Sequence, residues 1–151
     1  MIRGPTAPAE DRSANLTYTH NDSRSNLTAG GYDTIPGIPN EQIGASLNFE
    51  PRSKRVGGSV SLNHVGRVFD VVGGVGTLQR GNYTVADLNG HVYLDAARRH
   101  TLSLRIENAF DKTYTTRYAR AIVDDTDPAV FYAARNLGVP RTIHLRYDFA
   151  F

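Results

Sequence analysis

Between residues 113 and 137 the chain gathers Arg117, Tyr118, Arg120, Tyr132 and Arg135 in one long polar stretch. Guanidinium groups make charge-assisted bonds to anions, and phenol rings offer flat contact faces, so this mixture could hold an anionic ligand. Simple solvation of the loop arginines accounts for the same residues. Other candidates for chemistry are weaker. Asp124, Asp125, Thr126 and Asp127 have the carboxylates of a calcium loop, but neither a turn glycine nor a distal glutamate at the required spacing, and read as a solvated acidic loop. His20, His64, His91, His100 and His144 fall in no metal-binding spacing, so no metal is expected. The run from Val72 to Thr77 has three glycines but no lysine, which leaves a flexible loop rather than a phosphate cradle. No Ser-His-Asp order, defined carboxylate pair or G-x-S-x-G elbow is present. The chain does not read as an enzyme, and no cofactor is implied.

The elements that must position these residues are strands. Ile143, Leu145, Tyr147, Phe149 and Phe151 alternate with His144, Arg146, Asp148 and Ala150, a period of two. Gly138, Pro140 and Arg141 mark the loop before this strand. The same alternation runs through Leu102, Leu104 and Ile106, through Leu88, Gly90, Val92 and Leu94, through Val56, Gly58, Val60 and Leu62, and through Ile43, Ala45, Leu47 and Phe49. Leu16 and Tyr18 suggest a first strand. The expected strands lie near 14–19, 42–50, 56–64, 85–95, 101–108 and 141–151, after a poorly ordered segment 1–13. Asn108 and Asp111 follow the fifth of these, where Asx side chains favour a turn by bonding nearby backbone.

Short turns near 51–55 and 96–100 alternate with long polar stretches near 20–41, 65–82 and 109–140. An up-and-down antiparallel meander would put the tight turns at one end of the sheet and the long loops at the other, an asymmetry shared by outer-membrane barrels. A soluble sandwich could show the same alternation with its polar face to water. Composition narrows the field. Of 151 residues 40% are hydrophobic, and 17 basic residues nearly balance 15 acidic ones, which fits neither a disordered acidic tail nor a nucleic-acid arm. No cysteine is present, excluding disulfide scaffolds and thiol chemistry. No stretch approaches the roughly 20 apolar residues of a spanning helix, and the first residues do not form a signal peptide. Four N-x-[ST] sequons begin at Asn15, Asn21, Asn26 and Asn82, as Asn-Thr-rich β sequence readily produces.

Leu102-Ser103-Leu104-Arg105-Ile106-Glu107-Asn108-Ala109-Phe110-Asp111-Lys112-Thr113-Tyr114 resembles the L-x-L-x-[VI]-x-N-[LA]-F-D-K-x-Y stretch near the end of TonB-dependent outer-membrane receptors. Gly138-Val139-Pro140-Arg141-Thr142 resembles that family's G-x-P-R-[TN] approach to an aromatic-terminated last strand, and Tyr83-Thr84-Val85-Ala86-Asp87-Leu88 its Y-T-x-x-D-L motif. The likeness is strong over 83–151 and compatible over 14–64. It implies an all-β fold, the C-terminal part of a 22-stranded transmembrane barrel around a plug. This chain would supply about six of those strands and no plug, an incomplete barrel, since single-chain barrels have at least eight strands. The expectation is a fragment, from a truncated or split gene, a misplaced start codon or an excised segment.

The resemblance also implies a function: active uptake of a ferric siderophore or another scarce solute across the bacterial outer membrane. Arg117, Tyr118, Arg120, Tyr132 and Arg135 would then be extracellular ligand contacts, or would bind lipopolysaccharide phosphates. Tyr147, Phe149 and Phe151 would form an aromatic girdle and the signal read by the barrel assembly machinery. The TonB energy-transducing complex would act through the missing plug, membrane lipid would surround the strands, and no nucleic acid is involved. The alternatives are a small oligomeric outer-membrane pore and a soluble β-sandwich binding module.

Overall fold

In the computed structural model the described residues are 11–22, 35–51, 55–124 and 127–151. They form β-strands and connections only: β1 (Asp11–His20), β2 (Glu41–Glu50), β3 (Val56–Val72), β4 (Gly76–Tyr93), β5 (His100–Glu107), β6 (Thr115–Asp124), β7 (Asp127–Leu137) and β8 (Thr142–Phe149). Six of them make one antiparallel sheet in the order β1-β2-β3-β4-β5-β8, and β6 and β7 pair separately as a two-stranded sheet. Strands thus lie at each of the six expected places, with β1 starting at Asp11 rather than near 14. Residues 1–10, most of the segment 20–41, and residues 52–54 of the tight turn lie outside the described residues.

Two expected loops are strands instead. Over 65–82, β3 continues to Val72 and β4 begins at Gly76, joined by the Gly73-Gly74-Val75 turn. Over 113–137 the chain forms the β6–β7 arm. The acidic-loop reading of Asp124 to Asp127 turns on residues 125 and 126 and lies outside the described residues.

Register explains why alternation was so regular. Leu16 faces Ala45, Ala45 faces Leu62, and Leu47 faces Val60. Val60 faces Leu88, Leu88 faces Ile106, and Ile106 faces Ile143. Directly opposed residues share a face, so one side of the sheet carries an unbroken apolar field across six strands. The other side carries Ser13, Asn15, Asn48, Ser59, Ser61, Asn89, Ser103, Arg105, His144 and Arg146. The apolar field is not a core: Leu16 is 73% exposed, Leu47 62%, Ile143 62% and Leu145 71%. Among the described residues only Val68, Val72 and Ala86 are buried hydrophobics, two of them in the upper part of β3, where β6 touches β3 and β4.

The β3–β4 ladder is interrupted opposite Gly66. Gly81 and Asn82 there have φ of 88° and 55°, and a Cβ on Gly81 would collide with the Gly66 carbonyl oxygen. The kink divides a lower section within the six-stranded sheet from an upper two-stranded ribbon, 67–72 with 76–81. Gly81→Ala should therefore lower stability by about 2 kcal/mol, through both left-handed strain and backbone collision. The measurement is the denaturant midpoint; a value equal to the parent's would show that the kink is easily remodelled.

Candidate functional site

The long-loop end of the sheet carries the arm and the ribbon, and the five predicted ligand residues sit on the arm. Tyr118 opposes Arg135, and Arg120 opposes Ala133, so Tyr118, Arg120 and Arg135 share one face. Arg117 opposes Asn136, and Tyr132 opposes Ala121, which sets Arg117 and Tyr132 on the other face. The structure therefore brings three of the five together and separates two. The Arg120 guanidinium lies 4.0 Å from the centre of the Phe131 ring, and that ring rests directly on Gly74 at the ribbon's turn.

Asp70 joins arm to ribbon. Its carboxylate accepts from Arg80 Nε at 2.7 Å and from the Tyr118 backbone N–H at 2.8 Å, and the residue is only 8% exposed. Burial pushes its pKa up, but the Arg80 bond and the Tyr118 N–H outweigh it, with the charges of Arg80 and Arg117 adding to them. The carboxyl is held below its ordinary 3.8. Beside it Tyr83 and Tyr114 pack with ring centres 4.3 Å apart, and Tyr118, Asn82 and Lys112 complete the rim of a small cleft.

The arm is rooted at Asn108, which is 3% exposed. Its Nδ2 donates to the carbonyls of Lys112 and Val139, both at 2.9 Å, while its Oδ1 accepts from Lys112 N–H at 2.9 Å. Its own N–H donates to Asp87 Oδ1 at 2.8 Å. Asn108 and Asp111 both have positive φ, and Asp111 Oδ1 accepts from Arg141 N–H at 3.0 Å. The Asx turn expected here is present, and it reaches further than a local turn: it ties the end of β5 to the approach to β8. Gly138 N–H bonds the Tyr114 carbonyl across the same root.

At the opposite, tight-turn end the three predicted terminal aromatics gather around a residue that sequence reasoning missed. His100 Nδ1 lies 2.6 Å from the Tyr147 hydroxyl, its ring stacks on Phe149 at 4.7 Å, and Phe149 meets Phe151 edge-on at 5.1 Å. Register supplies the reason, since His100 opposes Phe149 and Leu102 opposes Tyr147. The turn before His100 is fixed by Asp95, which accepts from the His100 N–H at 2.9 Å. That bond holds the Asp95 carboxyl below its usual range, a slight desolvation opposing and Arg99 assisting.

No protein-family model matches the chain, and comparison with curated proteins found no match either.

On the polar side Glu107 receives Arg105 at 2.6 Å and His144 at 3.5 Å, and Asp148 receives Arg146 at 2.6 Å. In water such exposed pairs contribute about 0–1 kcal/mol each. Among the described residues no three His, Asp or Glu side chains converge on a point that could hold a metal ion. No helix is long and apolar enough to cross a membrane, which says nothing of strands. Asp70, Arg80 and His100 carry no sequence mark: Asp70 and Arg80 are ten positions apart, and His100 stands beside two arginines that suggest only a turn.

Proposed function

We propose that the chain is part of the wall of a TonB-dependent outer-membrane receptor, a transporter for a ferric siderophore or another scarce solute. The observation that carries this reading is the sheet itself. One face is apolar, continuous and exposed, the other is polar, and among the described residues no second layer covers the six-stranded field. Water penalises such a face; hydrocarbon satisfies it, provided the backbone is paired along both edges. Strands β2, β5 and β8 of eight to ten residues suit a tilted crossing of a bilayer core. The three motifs noted in the sequence add the family.

On this reading the β1 and β8 edges pair with further strands of a larger barrel, the polar face lines the lumen and meets the plug, and the arm and ribbon stand outside the cell. Arg117, Tyr118, Arg120, Tyr132 and Arg135 would meet the solute or lipopolysaccharide there. Energy would come from the TonB complex acting on the plug, and no enzymatic step or cofactor is involved. One observation favours a second reading, an oligomeric pore. β1 and β8 are the unpaired edges and run in opposite directions, so β8 of one copy could pair antiparallel with β1 of the next.

The test is fractionation. The gene product should be found in outer membranes, extracted only by detergent, with electrophoretic migration that changes on heating. Recovery as a soluble monomer without detergent would overturn both membrane readings. Deleting Phe151, the exposed end of the His100 aromatic cluster, should reduce the assembled amount several-fold while leaving synthesis unchanged. Unchanged surface abundance would count against the assembly role.

A further inference from the structure

We propose that Asp70 is a clasp that holds the β6–β7 arm onto the β3–β4 ribbon, and that the arm swings away about its Asn108 root when the clasp opens. The inference stands on the geometry of the long-loop end and does not depend on the transport reading.

An isolated two-stranded hairpin is marginally stable, and among the described residues β6 and β7 pair only with each other. The arm must therefore be held from outside. Its root is firm: Asn108 bonds both sides of the arm's base, and Gly138 closes on Tyr114. Beyond the root, the described contacts that tie it to β3 and β4 include these three. Tyr114 packs on Tyr83 close to the root, Phe131 rests on Gly74 near the tip, and Asp70 lies between them. Phe131 meets a glycine with no side chain to interlock, so that contact can slide. Of these three, Asp70 makes the directional bond: one buried oxygen, Oδ2, accepts at once from Arg80 of the ribbon and from the backbone of β6. A buried charge shared in this way is strongly placed while both donors are present, and costly once either leaves. One oxygen atom thus joins a β4 side chain to the β6 backbone, and the Asn108 amide anchors the arm's base.

The charged groups facing Asp70 are Arg80 from β4 and Arg117 from β6; Tyr118 contributes its backbone N–H. Because the folded-state pKa of Asp70 lies below 3.8, the clasp is fully formed above that pH and is lost as pH falls through the lower, folded value. Neutral solution keeps it shut.

The chain has neither tryptophan nor cysteine, so a single quencher and a single label are unambiguous. The pair is V75W with a bimane on I122C: Ile122 opposes Phe131, which rests on Gly74, so the closed arm brings label and quencher together. A control pair, S59W with a bimane on N89C, reads the β3–β4 ladder within the main sheet. In detergent at neutral pH, Asp70→Ala should raise the arm label's emission at least threefold with the control unchanged, and Asp70→Asn should give a smaller rise. Acidifying the Asp70 parent through its lowered folded-state pKa should reproduce the rise. An arm label that stays quenched in Asp70→Ala would overturn the clasp. Loss of quenching in both pairs together would also overturn it, because Asp70 would then support the whole sheet and not the arm.

Discussion

Asn108→Ala is expected to lower the unfolding free energy by about 3–5 kcal/mol. The side chain makes three bonds at a buried site, with Lys112 N–H, Lys112 C=O and Val139 C=O. Each is worth about 1 kcal/mol when made, and a buried partner left unpaired costs about 1–3 kcal/mol. Alanine also lacks the tolerance for left-handed backbone that asparagine brings to the φ of 50° found here, adding about 1 kcal/mol. Asn108→Gly separates the two contributions: it relieves the backbone but makes none of the bonds, and should recover about 1 kcal/mol of the loss. Asn108→Asp keeps the acceptor for Lys112 N–H, turns a carboxylate on two carbonyls, and sets it near Asp87, so it should be no better than alanine. Denaturant midpoints followed by circular dichroism read all three. A parent-like midpoint for Asn108→Ala would mean that water replaces the amide at the root.

Leu145→Arg should separate membrane from water more sharply than any binding assay. Leu145 is 71% exposed at the middle of β8, opposite Leu104, so in a water-facing sheet an arginine there is nearly neutral and improves solubility. Facing hydrocarbon, the same change costs about 2–4 kcal/mol at the bilayer midplane. The assembled amount in outer membranes should then fall at least tenfold, while Arg146→Leu on the adjacent polar side should leave it within twofold. Equal tolerance of the two substitutions would remove the transport reading and the pore reading together.

The six-stranded sheet was legible because its strands alternate cleanly from Leu16 to Phe149 and their opposed apolar residues fall in register. The ribbon was not legible, although its register continues unshifted past Gly66 and Val68 and Val72 keep the phase of Val60 and Leu62. His64, Gly66 and Asp70 interrupt the apolar set in that phase, and three glycines at 73, 74 and 76 imitate a loop. The arm was hidden differently. Ala119, Ala121, Ala133 and Ala134 give it too little apolar contrast to read as strand. With the strand unread, the opposite facing of the neighbours Arg117 and Tyr118 was not legible either. Asn108 was legible as a turn residue, but its bond to Val139, 31 positions away, belongs to the tertiary structure.

The insertion of a whole arm between neighbouring strands has a consequence for the order of folding. β1 through β5 can zip hairpin by hairpin, but β8 must find β5 across the entire chain from Asn108 to Arg141. Logarithmic loop closure makes that step about 1.5 kcal/mol more costly than closing the six-residue turn between β4 and β5. β8 is thus the slow strand, and pre-formation of the arm shortens its search by bringing Tyr114 and Gly138 together first. Mutations that loosen the arm's root should appear as slower refolding, with the unfolding rate less affected.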